Sequence, residues 1–67
     1  MELAKEHQKV GLVAWIDEEH AFDPSYAKEM GIDVDNLYFC QPNVAEEAIA
    51  VAETLAATGL FSLIVND

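Results

Sequence analysis

The residues best suited to chemistry lie in one stretch, Trp15-Ile16-Asp17-Glu18-Glu19-His20-Ala21-Phe22-Asp23-Pro24-Ser25-Tyr26-Ala27. An apolar run passes directly into three acids and a histidine, then into a further acid, a proline and a tyrosine. Such carboxylates can orient a water molecule, take up its proton, or hold a divalent cation through oxygen. A second run, Phe61 to Val65, apolar except for Ser62, leads through Asn66 to another acid, Asp67. His20 beside Asp17 and Glu19 also admits a metal-ligand reading, although nothing else in the chain has metal-ligand spacing. Asp23 has the form of a helix N-cap, which puts Tyr26 on the first helical turn with a ring face available for stacking. The plainer alternative for these acids is a solvated loop.

Parallel strands are the elements that would position such residues. Leu12-Val13-Ala14-Trp15-Ile16 is continuously apolar rather than alternating, the pattern of a parallel strand covered on both faces. Residues 2–9 read as the tail of a helix. Pro24 at a first helical position and Gly31 beyond the end bound a short helix. Leu37-Tyr38-Phe39-Cys40 reads as a second short buried strand, stopped by Pro42. Asn43 and Glu46 have capping-box spacing, and the helix 44–58 that follows places Val44, Ala48, Ile49, Ala52, Leu55 and Ala56 on one face. Gly59 ends it, and 61–65 is the third strand. Helix, strand, helix, strand, helix, strand describes an α/β chain with a three-stranded parallel sheet and flanking helices. Ligands of open parallel sheets collect at the carboxyl ends of strands, and two of these strands end in acids: Asp17 to Glu19, and Asp67. Trp15, Met30, Phe39 and Phe61 are core candidates, and His7 is a surface residue.

Composition narrows the classes of function. The 67 residues form at most one small domain, and a chain of that size hides only about 60% of its unfolded surface. A hydrophobic content of 52% argues against disorder. Three lysines, no arginine and thirteen acids give a net charge of -10, so the chain cannot itself build the basic patch that nucleic acid requires. Cys40 is the only cysteine and sits in an apolar run, which fits a packed thiol in a reducing compartment. With no apolar stretch of about 18 residues and no signal-peptide pattern, the expectation is a soluble, cytoplasmic protein.

The stretch from Trp15 to Ala27 closely resembles the segment of bacterial RecA recombinases that reads Phe-Ile-Asp-Ala-Glu-His-Ala-Leu-Asp-Pro-x-Tyr-Ala. The similarity continues through Gly31-Ile32-Asp33-Val34-Asp35-Asn36-Leu37, then Gln41-Pro42, then Leu63-Ile64-Val65-Asn66-Asp67, in the family's order and spacing. The resemblance implies a RecA-like P-loop NTPase core with strand 11–16 between strands 37–40 and 61–66. It implies that Glu19 is the catalytic glutamate polarising the water that attacks the γ-phosphorus of ATP. Tyr26 and Asp23 resemble the pair that handles adenine, the ring stacking on the base and the carboxylate near its exocyclic amine. Asp23 as a simple helix cap remains equally open. Asp67 resembles the terminal Walker B aspartate, which holds the Mg²⁺ shell through water. Two residues depart from the pattern. Glu18 replaces an alanine and is expected to point to solvent, and Asn66 replaces an apolar residue.

No Gly-x-x-x-x-Gly-Lys followed by Ser or Thr occurs; the only glycines are Gly11, Gly31 and Gly59. The resemblance therefore implies residues 1–67 to be a partial ATPase core, between the Walker A helix and the Walker B aspartate. The phosphate loop and the DNA-binding loops would lie outside it. The full-length parent is expected to bind ATP with Mg²⁺, to form a homo-oligomeric filament on single-stranded DNA, and to act in recombination, repair of DNA damage and the SOS response. The segment alone is expected to be inactive and not to bind DNA. Two other classes stay open: a stand-alone acidic α/β module that binds Mg²⁺ or a partner, and a metal-assisted hydrolase built on Asp17, Glu19, His20 and Asp67.

Overall fold

Five apolar residues in a row, Leu12–Ile16, form the central strand β1 of a parallel sheet. A computed structural model describes residues 1–66. Helix α1 (Glu2–Gln8) precedes β1; helix α2 (Pro24–Glu29) and a 3-10 turn (Val34–Asn36) lead to β2 (Leu37–Cys40), and helix α3 (Ala45–Thr58) leads to β3 (Phe61–Asn66). The strand order is β2-β1-β3, all parallel, as the sequence reading expects.

Alternation along β1 divides the interior in two. Val13 and Trp15 share a core with Ala4 of α1, Ala27 of α2, Ile32 and Leu37, and Leu63 and Val65 pack against it. Ala14 and Ile16 have the opposite parity and face the side crossed by α3, whose Ala48 and Leu55 are buried. Tyr38 is in register with Ala14 and Phe61 with Leu12, and the two rings meet edge-on at a centroid separation of 5.5 Å. A methyl side chain on the central strand leaves room for that contact. The start of β3 is irregular against β1, and the Ser62 hydroxyl there lies 3.0 Å from the His7 carbonyl and 3.1 Å from that of Leu12.

Helix ends follow local chemistry at three of the four expected places. The Asp23 carboxylate accepts from the Tyr26 N–H at the start of α2, with Pro24 in the first turn. Gly31 and Gly59 have φ of 98° and 70°, left-handed conformations that close α2 and α3 at little steric cost. The expected capping box of α3 does not form. Val44 occupies the N-cap without a side-chain bond, and the Asn43 N–H instead donates to Glu47, not Glu46, at 3.3 Å.

Three further expectations are corrected by burial. In β2 only Leu37 is fully buried, because the strand lies at the sheet edge; Phe39, expected in the core, is one of its exposed residues. Met30 is likewise exposed and Phe61 only half-buried. Val44 at the N-cap of α3, and Ile49 and Ala56 on it, are exposed, so the helix buries a narrower stripe than its apolar positions suggest.

Burial makes two isoleucines a direct test. Ile16 is 0% exposed and Ile49 is 53% exposed. Ile16→Ala is expected to cost about 2–5 kcal/mol, enough to unfold a small domain, and Ile16→Val about 0.5–1.5 kcal/mol. Ile49→Ala should stay within roughly 0.5 kcal/mol of the parent in urea titrations. Equal shifts for Ile16→Val and Ile49→Ala would mean that the sheet face under α3 is misassigned.

Candidate functional site

The apolar strand β1 runs straight into a carboxylate. Asp17 is only 1% exposed, the one buried charged residue among those described. A buried carboxylate must be compensated by hydrogen bonds, and the chain supplies them locally. The Asp17 N–H donates to the Cys40 carbonyl at 2.9 Å, which carries the β1–β2 pairing one residue further. Oδ2 of Asp17 accepts from the Phe22 N–H at 2.8 Å and from the Gln41 carboxamide at 3.3 Å. Burial by itself would push this carboxyl up. The Phe22 N–H, the Gln41 side chain, the Ala21 N–H and the charge of His20 together outweigh that and hold it below the ordinary aspartate value.

These bonds close residues 18–21 into a small loop. His20 turns the chain within it, with a φ of 57° that a non-glycine residue adopts at a cost of about 1 kcal/mol. Its Nε2 lies 3.3 Å from the Pro42 carbonyl, a second tie to the turn after β2. Phe22 completes the closure: its ring packs 5.3 Å from Trp15 and 4.9 Å from Phe39, measured between centroids. At the crest, Glu19 is exposed and its carboxylate makes no hydrogen bond among the described residues. Glu18, expected to point to solvent, is half-buried.

Two other expected site residues follow on α2. Asp23 Oδ1 accepts from the Tyr26 N–H at 3.2 Å, so the capping role is present, and Oδ2 accepts nothing among the described residues. Tyr26 leaves half of its surface exposed, 51%. Asp67 lies outside the described residues. Asn66, the polar departure at the end of β3, is exposed, which removes the need for a buried partner. The metal-assisted grouping of Asp17, Glu19, His20 and Asp67 gains no support. Asp17 is spent on backbone and Gln41 donors, His20 faces Pro42, and among the described residues no three His, Cys, Asp or Glu side chains could hold a metal ion.

Two residues that build this loop, Phe22 and Gln41, do not stand out in the sequence. Gln41 carried no assigned role and Phe22 none, while Asp17 counted as an acid at an open strand end. One local signal was present, an acid directly continuing a fully apolar strand. Its partner 24 residues on belongs to another strand's end and has no local signature.

A parallel sheet whose central strand delivers a structured acidic loop at its carboxyl end is the build of an open-sheet α/β ligand-binding core. The family model described as the RecA N-terminal domain matches residues 1–67, and the chain belongs to the RecA family. It is 52% identical over 68 residues to protein RecA of Campylobacter fetus subsp. fetus, covering 100% of this chain and 20% of that protein. It is 46% identical over 65 residues to protein RecA of Aquifex pyrophilus, covering 97% of this chain and 19% of that protein. Against protein RecA of Paracoccus denitrificans the identity is 45% over 65 residues, covering 97% of this chain and 18% of that protein. The chain thus spans about a fifth of the length of the curated relatives it matches.

The lowered pKa of Asp17 gives a pH signature. Its carboxylate contributes stability that is fully present above the unfolded value of about 3.9 and is lost as pH falls through the lower folded value. Urea midpoints of the parent and of Asp17→Asn should therefore differ at pH 7 and converge as pH falls below about 4. Taking the difference cancels the titration common to the other acids. A gap that stays constant down to pH 3 would show that the charge of Asp17 is not what the loop uses.

Proposed function

We propose that this chain supplies the water-activating and adenine-contacting part of an ATP-dependent DNA recombinase of the RecA type. On this reading it lies between the Walker A helix and the Walker B aspartate of the ATPase core. Family membership over residues 1–67 carries the proposal, and Glu19, exposed and unbonded among the described residues on a closed loop at a strand's carboxyl end, supports it.

Glu19 is assigned as the residue that orients the attacking water and takes its proton. The water oxygen forms a bond to the γ-phosphorus while the bond from that phosphorus to the β,γ-bridging oxygen breaks, and ADP leaves with the electron pair. Such a transfer asks the protein for alignment and charge stabilisation rather than covalent chemistry. A carboxylate with both oxygens free among the described residues and its backbone held is suited to the first task. Asp23 and Tyr26 are assigned to the adenine. The capping bond uses only Oδ1 of Asp23, which leaves Oδ2 for the exocyclic amine, and the half-exposed ring of Tyr26 is available for stacking. Asp67 is assigned to the hydration shell of Mg²⁺, which when bound neutralises charge on the β- and γ-phosphates. In the complete protein, the phosphate loop, single-stranded DNA contacts and filament contacts come from elsewhere, because the residues here carry too little positive charge to grip phosphate. Recombination, repair of DNA damage and the SOS response, in the cytoplasm, are the proposed setting.

The test uses a full-length RecA protein carrying this segment. Glu19→Gln keeps size and one acceptor but loses the charge and basicity. It is expected to lower ATP turnover by about 10²- to 10⁴-fold while leaving ATP binding and ATP-dependent filament assembly largely intact. Glu18→Gln should change turnover little. Should the two variants behave alike, or Glu19→Gln weaken nucleotide binding as much as hydrolysis, the assignment of Glu19 is wrong.

A further inference from the structure

We propose that Asp17 and Gln41 are a positioning pair for Glu19: the Asp17 carboxylate closes the loop that carries Glu19, and Gln41 fastens that loop to the turn after β2. The inference rests on the reading of Glu19 as the water-orienting residue and adds to it the means by which that side chain is held. No bond from Glu19 itself fixes it among the described residues, so its placement comes from the backbone beneath it. That backbone is held at residue 17 by β-pairing to Cys40 and at residue 22 by the bond into Asp17, with four residues between. Gln41 donates to the same oxygen that receives Phe22, and His20 meets the Pro42 carbonyl next door. Two segments far apart in sequence therefore converge on one buried carboxylate. His20 sits within that closure in a left-handed conformation, φ 57°, the kind of strained backbone that persists only where its surroundings hold it. A misplacement of about 1 Å at a reacting group can cost about 10²-fold in rate, while binding made elsewhere on the nucleotide is untouched.

Three variants of the same full-length protein test this, with Glu19→Gln alongside. Asp17→Ala opens the loop and should lower kcat about 10- to 100-fold with the KM for ATP within about threefold. Asp17→Asn keeps the shape and an acceptor for Phe22 and Gln41, and should recover at least half of that loss on a logarithmic scale. Gln41→Leu leaves the Phe22 bond in place, so the protein stays folded by circular dichroism, and should lower kcat several-fold, again without a matching change in KM. Combined with Asp17→Ala, Gln41→Leu should add nothing, because the bond it removes is already absent. The proposal is overturned by an unchanged kcat in Gln41→Leu, by a rise in KM that accounts for the loss, or by effects that multiply in the double variant. Should Asp17→Ala not fold, Gln41→Leu and Asp17→Asn decide the matter by the same kcat and KM criteria. If Glu19→Gln turns over ATP normally, the reading of Glu19 fails first and the pair has nothing to position. Loss of turnover in Glu19→Gln with parent-like kcat in the other variants sinks the positioning role alone.

Discussion

The structure turns on one buried charge. Asp17 sits where the most enclosed strand of the sheet ends, and an unpaired carboxylate there would be prohibitively costly. The chain can keep it only by turning N–H groups back toward it. Residues 18–22 do this, and in doing so they lose their freedom to be an ordinary flexible loop. The left-handed His20, the inward Phe22 amide and the outward Glu19 are consequences of one requirement, that the carboxylate be satisfied. Local strain at His20 is offset by bonds that charge assistance makes stronger than neutral ones.

Packing and hydrogen bonding reinforce each other at Phe22. Its amide closes the polar ring while its side chain enters the aromatic group with Trp15 and Phe39. The loop is therefore welded to the sheet by an apolar contact on one side and a polar one on the other. Trp15, adjacent in the same strand to the residues that lead into Asp17, gives that weld a broad surface, and Phe39 joins it from the edge strand. The weld explains why an edge strand with mostly exposed side chains still matters to the loop, since β2 contributes Phe39, the Cys40 carbonyl and the Gln41 and Pro42 turn.

What the sequence reveals depends on whether the determining contact is local. The cap at Asp23, the proline after it and the glycines past α2 and α3 are decided within a few residues, and they are where the pattern puts them. The unbroken apolar run of β1 states its own burial on both faces from Val13 to Ile16, while Leu12 at the start of the strand is exposed. Strand order is different in kind. It follows only from family resemblance, because nothing in the spacing of Leu37–Cys40 and Phe61–Asn66 says which lies on which side of β1. The capping box failed because Val44 intervenes: the first helical turn begins at Ala45, so Glu47 rather than Glu46 comes back to Asn43. Exposure in β2 failed to show because an apolar edge strand and an apolar inner strand look the same in one dimension. Glu19 and Asp17 both stand out as acids at a strand end, whereas the bond from Gln41 to Asp17 does not, since it joins positions with no periodic relation.

Charge sets a last constraint on how such a segment can work. With a net charge of -10 and Glu18 and Glu19 adjacent at the proposed site, the segment repels a triphosphate at distance. On the proposed reading it therefore cannot recruit nucleotide; it can only act on nucleotide that other groups have already anchored. That division favours a fixed carboxylate over a mobile one. A flexible Glu19 would drift from the anchored phosphate toward solvent, because electrostatics offers no force to bring it back. Holding the backbone through an independent, buried carboxylate solves this with hydrogen bonds rather than with an electrostatic pull on Glu19. The half-buried Glu18, the outward Glu19 and the sequestered Asp17 thus carry the same kind of charge in three environments, and on the proposed reading the environment decides which of them can face the phosphate.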